Sequence, residues 1–268
     1  DYRRTGRFRD PAEDGFRRRV GEILTLCGDM RACGALCVGG AGASGAAMGE
    51  ILRAELAAHG FAGKLLLCGD HEIALAGAMQ TPGCVLIAGT GSICYGKNAA
   101  GEHFRCGGGG HIIDDPGSGY ALGRDALAAA LQTEDGRLSE NALHGAVMDT
   151  VGGSGIQGIF DFVYFSRRGK GDIAALAPLV LRCAAQGDAV SLDILRRGAA
   201  ELARLVSAVM DKLGLENGSP CALAGGLLAE DNVYRRAVCA ALAPFCRPAA
   251  PEHDALFGAV QLALAAIQ

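Results

Sequence analysis

The stretch Val85–Arg124, VLIAGTGSICYGKNAAGEHFRCGGGGHIIDDPGSGYALGR, decides the fold of this chain. A short apolar run, Val85–Ala88, ends in the glycine turn Gly89–Ser92, which also carries the hydroxyls of a threonine and a serine. A second glycine cluster, Gly107–Gly110, leads through two aspartates into a helical pattern. Because glycine lets backbone N–H groups approach a phosphate and tolerates positive φ, the stretch predicts a strand followed by an anion-binding turn.

The turn by itself is also compatible with a plain hairpin between Val85–Ala88 and Ser92–Tyr95. The neighbouring Asp114 and Asp115 favour a binding site instead. Two adjacent carboxylates have little packing value, and aspartate is seldom fully buried without a partner. We therefore expect both carboxylates to be buried next to a polar ligand.

The composition is that of a folded soluble protein. Half of the residues are apolar, 20% are charged and the net charge is −4. The length of 268 residues is enough for one large domain or two ordinary ones. No apolar stretch has membrane-spanning length and no signal peptide is recognisable. The arginine-rich N-terminus is interpreted as a solvated charged face, so no nucleic-acid site is expected. The 11 cysteines are odd in number and include no Cys-x-x-Cys pair. We therefore expect free thiols, a reducing compartment and a cytoplasmic location.

Apolar runs and helical periodicities alternate along the chain, which indicates α/β layering. The predicted strands are Ala35–Val38, Lys64–Cys68, Val85–Ala88 and Cys221–Ala224. The predicted helices are Phe16–Leu26, Ala46–His59, Ile73–Met79, Tyr120–Gln132, Ile156–Phe165, Asp172–Gln186, Ala189–Leu213, Val233–Leu242 and Ala255–Ile267, with Leu192 in the apolar stripe of Ala189–Leu213. A less regular helix is expected within Thr133–Gly155, and a loop over Pro244–Pro251.

Three further motifs each allow two interpretations. Gly40, Gly42 and Gly45 match a dinucleotide fingerprint, but no acid follows at the required spacing, so we interpret them as close strand–helix packing. Asp70 either caps the helix Ile73–Met79 or is a carboxylate at the end of a strand that could accept a proton. Gly225-Gly226 could hold a flat ring or a sugar, but the spacing alone favours an ordinary strand–helix turn.

Taken together, these motifs resemble the N-acetylglucosamine kinase branch of the BadF/BadG/BcrA/BcrD-type ATPases. The resemblance is carried by the segments Ala88–Ser92, Gly107–His111, Asp115–Gly123, Phe162–Tyr164, Ile173–Val180, Ala224–Gly226 and Gly258-Ala259, and it covers the chain from about Ala35 to its end. It implies an α/β, actin-like and hexokinase-like fold with two ribonuclease-H-like domains around a cleft. It further implies a smaller domain over 1–82, completed by the C-terminal helix 252–268, and a larger domain over 83–251.

The resemblance also implies a function, ATP-dependent phosphorylation of N-acetylglucosamine or a related amino sugar at its 6-hydroxyl, with ATP and Mg²⁺ as cofactors. Asp70 would be the catalytic base. The implied cofactor-binding residues are Gly89, Thr90, Gly91, Ser92, Gly225 and Gly226. The implied substrate-binding residues are Gly109, His111, Asp115 and Ser118, although the sequence context of His111 by itself favours a structural histidine. The magnesium ligands are not identifiable.

The family's first strand hairpin, which forms another phosphate loop, has no counterpart before Ala35, so we expect this chain to lack it. The partners expected are a small-molecule sugar and a second copy of the chain, without nucleic acid or membrane. Two other functions remain open. One is an ATPase activator of a CoA-ester dehydratase or reductase, which would need cluster-binding cysteines that Gly117–Leu131 does not contain. The other is a non-catalytic sugar- or nucleotide-binding module.

Overall fold

The structure is a computed structural model, and it describes residues 20–21, 24, 29–40, 46–152, 155–165 and 168–267. The chain divides into two compact units. Unit 1 comprises Asp1–Ala78 and His253–Gln268, and unit 2 comprises Met79–Glu252. These divisions lie within four residues of the boundaries expected from the sequence, and the assignment of the units as functional domains stays a prediction.

The described residues form an α/β fold. The strands are β1 Ala35–Gly39, β2 Lys64–Cys68, β3 Gly83–Ala88, β4 Ser92–Lys97, β5 His103–Gly107, β6 Pro220–Ala224 and β7 Arg247–Ala249. The helices are α1 Ala46–Ala58, α2 Asp70–Ala78, α3 Gly119–Glu134, α4 Ala142–Val151, α5 Gly155–Phe160, α6 Lys170–Ala174, α7 Ala177–Ala185, α8 Ala189–Leu213, α9 Val233–Leu242 and α10 Ala255–Ile267. A 3₁₀ turn at Met30–Ala32 and a π-helical turn at Asp161–Phe165 also occur.

Unit 1 is built on the parallel pair β1 and β2, aligned from Ala35 opposite Lys64 to Gly39 opposite Cys68. Helices α2 and α10 pack backbone to backbone beside it. A Cβ atom built on Gly258 would lie 2.0 Å from the carbonyl oxygen of Ile73. Since no side chain fits at that distance, glycine is what allows these two helices to approach so closely.

Part of the sequence prediction for unit 1 lies outside the described residues. Of the predicted helix Phe16–Leu26, only Val20, Gly21 and Leu24 are described, and all three are helical. Val20 and Leu24 are buried against Leu52 and Leu56 of α1, among others. Of the glycines of the dinucleotide-like motif, Gly40 is described, whereas the other two lie outside the described ranges.

Unit 2 contains a mixed five-stranded sheet in the order β5-β4-β3-β6-β7. Strand β3 pairs antiparallel with β4, where Ala88 faces Ser92, and parallel with β6, where Cys84 faces Cys221. Strand β3 is a central strand covered on both faces, which explains why its sequence is a continuous apolar run. The parallel pairing brings the carboxyl ends of β3 and β6 to the same edge of the sheet.

Two sequence predictions in unit 2 are wrong, and one strand was not predicted. The predicted loop Pro244–Pro251 contains β7, an edge strand parallel to β6; Pro248 is tolerated there because an edge strand has one side without ladder hydrogen bonds. Strand β5 was not predicted, since its sequence HFRCG is neither strongly apolar nor cleanly alternating. Leu192 is 45% exposed and lies outside the buried stripe of α8.

The described cysteines are free, and several of them are buried in the core. All ten described cysteines are free thiols, and Cys84, Cys94 and Cys221 are at most 1% exposed within the core of unit 2. Within the described ranges, no single helix is long and apolar enough to cross a membrane. The pair Lys170–Ala185 and Ala189–Leu213 meets the criteria of length and composition only when taken together, with a bend of 118°.

Candidate active site

The turn that joins β3 to β4 is closed by an internal hydrogen bond and is open on its solvent side. The Gly89 N–H donates to the Gly91 carbonyl over 2.9 Å. Within the described part of the chain, the backbone N–H groups of Thr90 and Gly91 have no protein acceptor. A Cβ atom on Gly89 would meet nothing within 4 Å. The hairpin and the turn that the sequence predicts to bind an anion are therefore one structure, with two N–H donors and an open glycine face.

The start of α3 is attached directly to this turn. The Gly119 N–H donates to the Gly89 carbonyl over 2.7 Å, and the Tyr120 N–H donates to the Thr90 carbonyl over 3.2 Å. Ser118 is the N-cap of α3, and its fully buried Oγ accepts the Ala121 N–H. Its hydroxyl thus has a structural partner, and its predicted contact with a sugar stays a prediction.

Asp115 lies against the same turn. Its side chain belongs to a residue only 5% exposed, and Oδ1 accepts the Ser92 N–H over 3.2 Å. A Cβ atom on Gly91 would lie 3.0 Å from each carboxylate oxygen. Among the described residues, Asp115 is the one non-glycine residue with positive φ, +58°. Such a conformation in a buried aspartate is characteristic of functional sites, where the surrounding contacts hold the strain.

The loop before Asp115 corrects part of the sequence analysis. Asp114 is only partly buried, so the expectation of two buried carboxylates is wrong for this residue. Its Oδ2 accepts the Gly109 N–H over 2.7 Å, which closes the loop. The His111 ring packs edge-on against Tyr120 at 4.7 Å between centroids, a contact that favours the structural interpretation of this histidine.

Sequence reasoning missed a cavity and an apolar pair in this loop. Ile112 and Ile113 are 84% and 87% exposed. A cavity of about 420 Å³ lies between the loop, α3 and α8, and its charged lining includes Asp114, Arg124 and Arg197. Isoleucines so exposed could not have been found from the sequence, because their apolar character predicts burial.

Gly225 and Gly226 have different roles at the carboxyl end of β6. Gly225 has φ +88°, and a Cβ atom there would lie 2.4 Å from the Ala88 carbonyl oxygen. The Leu227 N–H donates to that same oxygen over 3.1 Å. A Cβ atom on Gly226 would meet nothing within 4 Å. The turn therefore packs tightly on the end of β3 through Gly225 and presents an open backbone face at Gly226.

Asp70 lies in unit 1, at the carboxyl end of β2. It is the first residue of α2, which begins three residues earlier than predicted. Because α2 already begins at Asp70, Gly69 is at the N-cap position and the interpretation of Asp70 as the N-cap is wrong. The Gly69 N–H donates to the Glu72 carboxylate. The Asp70 side chain is 57% exposed, and its Oδ1 accepts the His71 N–H over 3.0 Å. A solvent-accessible carboxylate at this position is available to a ligand.

The sequence as a whole matches the model of the BadF/BadG/BcrA/BcrD ATPase family over residues 13–263. The chain therefore belongs to this ATPase family, and the family predicted from the sequence is confirmed.

Two curated relatives are named as sugar kinases. The chain is 39% identical over 189 residues to the N-acetylmuramic acid/N-acetylglucosamine kinase of Clostridium acetobutylicum, an alignment that covers 70% of this chain and 62% of that protein. It is 31% identical over 174 residues to the N-acetyl-D-glucosamine kinase of Dictyostelium discoideum, covering 63% of this chain and 53% of that protein. The chain thus matches somewhat more than half the length of each relative.

Solved structures show the same fold. A provisionally assigned N-acetylglucosamine kinase from Chromobacterium violaceum has a TM-score of 0.63 and 30% identity, covering 81% of this chain and 71% of that chain. A provisionally assigned N-acetylglucosamine kinase from Porphyromonas gingivalis has a TM-score of 0.71 and 19% identity, covering 95% and 85%; this likeness concerns the fold alone. The predicted fold class, an α/β fold of the actin-like ATPase type, is confirmed.

Proposed function

We propose that this chain carries the ATP-dependent kinase activity of an amino-sugar kinase, with N-acetylglucosamine or a related amino sugar such as N-acetylmuramic acid as substrate and the 6-hydroxyl as acceptor. The family supplies the use of ATP, and the relatives' names supply the substrate class.

The observation that carries the proposal is the meeting of three backbone segments at one edge of the sheet of unit 2. The β3–β4 turn donates the N–H groups of Thr90 and Gly91, and the start of α3 is bonded to it through Gly119. The turn at Gly225-Gly226 packs on Ala88. Phosphoryl transfer depends mainly on positioning and charge stabilisation, so open backbone donors suit the β- and γ-phosphates and the open face of Gly226 suits the nucleoside.

Asp70 is proposed as the catalytic base. Its exposed carboxylate can accept a hydrogen bond from the sugar hydroxyl and take its proton as the phosphoryl group is transferred. Asp115 is proposed as a sugar-binding acid. Because its Oδ1 already accepts the Ser92 N–H, it also ties the sugar-binding segment to the phosphate turn.

The residues present fit the magnesium ion that nucleotide phosphates ordinarily carry. Mg²⁺ is commonly held by substrate phosphates, waters and one or two carboxylates. Asp115, a carboxylate beside the phosphate turn, could supply one such ligand in addition to its proposed contact with the sugar. When bound, the ion would neutralise charge on the phosphates.

The test is a coupled ADP-release assay with ATP and Mg²⁺ against N-acetylglucosamine, N-acetylmuramic acid, glucosamine, glucose and no sugar. We expect ADP release that depends on an amino sugar. Asp70→Asn should lower kcat at least about 100-fold and leave nucleotide affinity unchanged, since a general base contributes about 10²–10⁴-fold. Asp149→Asn, which changes an exposed aspartate on α4, is the matched control.

Each other outcome has a distinct meaning. ADP release that is indifferent to sugar would favour the ATPase activator, and nucleotide binding without turnover would favour a binding module. Retained turnover in Asp70→Asn would remove this residue from the role of base. The homodimer and the cytoplasmic location also stay predictions, and sedimentation velocity of the purified protein tests the former.

A further inference from the structure

Hydroxyl groups from two different elements form hydrogen bonds with the backbone of Asp115–Gly117. Ser92 at the start of β4 donates its Oγ–H to the Pro116 carbonyl over 2.7 Å. Tyr234 on α9 donates its Oη–H to the Gly117 carbonyl over 2.6 Å. The Ser118 N–H donates to the Asp115 carbonyl over 3.4 Å. Three successive carbonyls of this turn are therefore fixed.

The Tyr234 hydroxyl fits its position only because two glycines make room for it. Tyr234 is completely buried. A Cβ atom on Gly117, where φ is +66°, would lie 2.9 Å from the Tyr234 Oη, and a Cβ atom on Gly198 would lie 2.7 Å from it. Burial raises the pKa of this hydroxyl, so it remains a hydrogen-bond donor at every physiological pH.

Tyr234 is itself fixed to the turn that follows β6. Asn232, the N-cap of α9, accepts the Tyr234 N–H over 2.9 Å. Through its side-chain nitrogen, Asn232 donates to the Leu227 carbonyl over 3.0 Å. A short chain of contacts thus runs from the Gly225-Gly226 turn through α9 to the Gly117 carbonyl.

From this arrangement we propose that Tyr234 is a positioning residue for Asp115. Its hydroxyl holds the Gly117 carbonyl and, together with Ser92, keeps Asp115 in its left-handed conformation with the carboxylate against Gly91. The proposal deepens the function proposed above, because Asp115 is the sugar-binding acid there. A strained φ of this kind persists only while surrounding contacts enforce it, so loss of one contact should loosen the whole turn.

The test is Tyr234→Phe, which removes the hydroxyl and keeps the ring. We expect the KM for the sugar to rise about five- to tenfold, as is typical for the loss of one hydrogen bond, with the KM for ATP changed less than about twofold. Amide hydrogen exchange in peptides covering 107–122 should become faster. Exchange in β3 should stay as in the wild type.

Two further variants make the result decisive. Gly198→Ala places a methyl group against the Tyr234 Oη and should likewise raise the KM for the sugar and speed the exchange of 107–122. It serves as the test if Tyr234→Phe does not fold. Thr133→Val is the control, because it removes a buried hydroxyl on the same α3, bonded to the Ala129 carbonyl over 3.1 Å, about four turns away from Ser118. It should leave the KM for the sugar and the exchange of 107–122 unchanged.

Unchanged exchange of 107–122 in Tyr234→Phe would overturn the proposal, as would an equal rise of the sugar KM in Thr133→Val. If the wild-type protein phosphorylates no sugar at all, the proposed function fails. The exchange measurement then still decides whether Tyr234 positions the Asp115 turn.

Discussion

Gly225 and Gly226 are adjacent, and the structure predicts opposite consequences of replacing them by alanine. At Gly225 the new methyl group would lie 2.4, 2.7 and 2.9 Å from the carbonyl oxygen, the carbonyl carbon and the nitrogen of Ala88. These are backbone atoms of a central strand, so no side-chain rotation relieves the overlap. At Gly226 the methyl group would meet nothing within 4 Å.

The cost of Gly225→Ala has two parts. The φ of +88° is unfavourable for alanine by about 1–2 kcal/mol. Overpacking against the backbone of β3 adds about 1–3 kcal/mol. The expected loss of about 2–5 kcal/mol is large against the ~5–15 kcal/mol by which domains are usually stable. It corresponds to a fall in Tm of roughly 4–20 °C for a domain of 150–250 residues.

Gly226→Ala is expected to change the free energy of unfolding by no more than about 0.5 kcal/mol, as for a substitution in open space. Its effect should appear in nucleotide binding instead, since the methyl group would occupy the face proposed for the nucleoside. We expect the Kd for a fluorescent ATP analogue to rise about tenfold, or roughly 1.4 kcal/mol.

Urea unfolding followed by circular dichroism and titration with the ATP analogue measure the two quantities on the same samples. Gly225→Ala with wild-type stability would refute the close approach of this turn to β3. Gly226→Ala with wild-type nucleotide affinity would refute the assignment of its open face to the nucleoside. Gly89→Ala, where the methyl group also meets nothing, tests a second open position, in the turn proposed to bind phosphate.

Two further predictions concern stability. His144 is 12% exposed in its side chain; burial by itself lowers its pKa, but hydrogen bonds to Glu134 at 2.7 Å and Glu140 at 3.0 Å raise it overall. A raised folded-state pKa stabilises most fully below the unfolded value of about 6.5 and loses its effect as pH rises through the folded value. The stability difference between wild type and His144→Gln in urea should therefore be larger at pH 5.5 than at pH 8.5, and an equal difference would contradict this reasoning. Gly258→Ala should lower the free energy of unfolding by about 1–3 kcal/mol or more, because its methyl group would contact a carbonyl of α2. Gly145→Ala, at an open helical position, should not lower it. Equal melting temperatures of the two variants would show that α2 and α10 can separate at no cost.

Much of the fold could be predicted from the sequence because it depends on local patterns. The apolar run of β3, the stripe of α8 and the glycine turns after β3 and β6 are all visible as periodicity or composition. The edge strand β7 was missed, since a proline normally excludes a strand and only the position at the edge of the sheet permits it.

The sequence by itself determined the α/β class, the family and the residues of the glycine turns, because these depend on residue types and their spacing. Only the tertiary structure decided how those residues are used. Asp115 lies against Gly91 because α3 is bonded to the β3–β4 turn, and Gly225 is required where β6 ends beside β3. The contact of Tyr234 with Gly117 joins residues 117 positions apart. No local pattern encodes such a contact, since it exists only when the sheet and the helices are assembled.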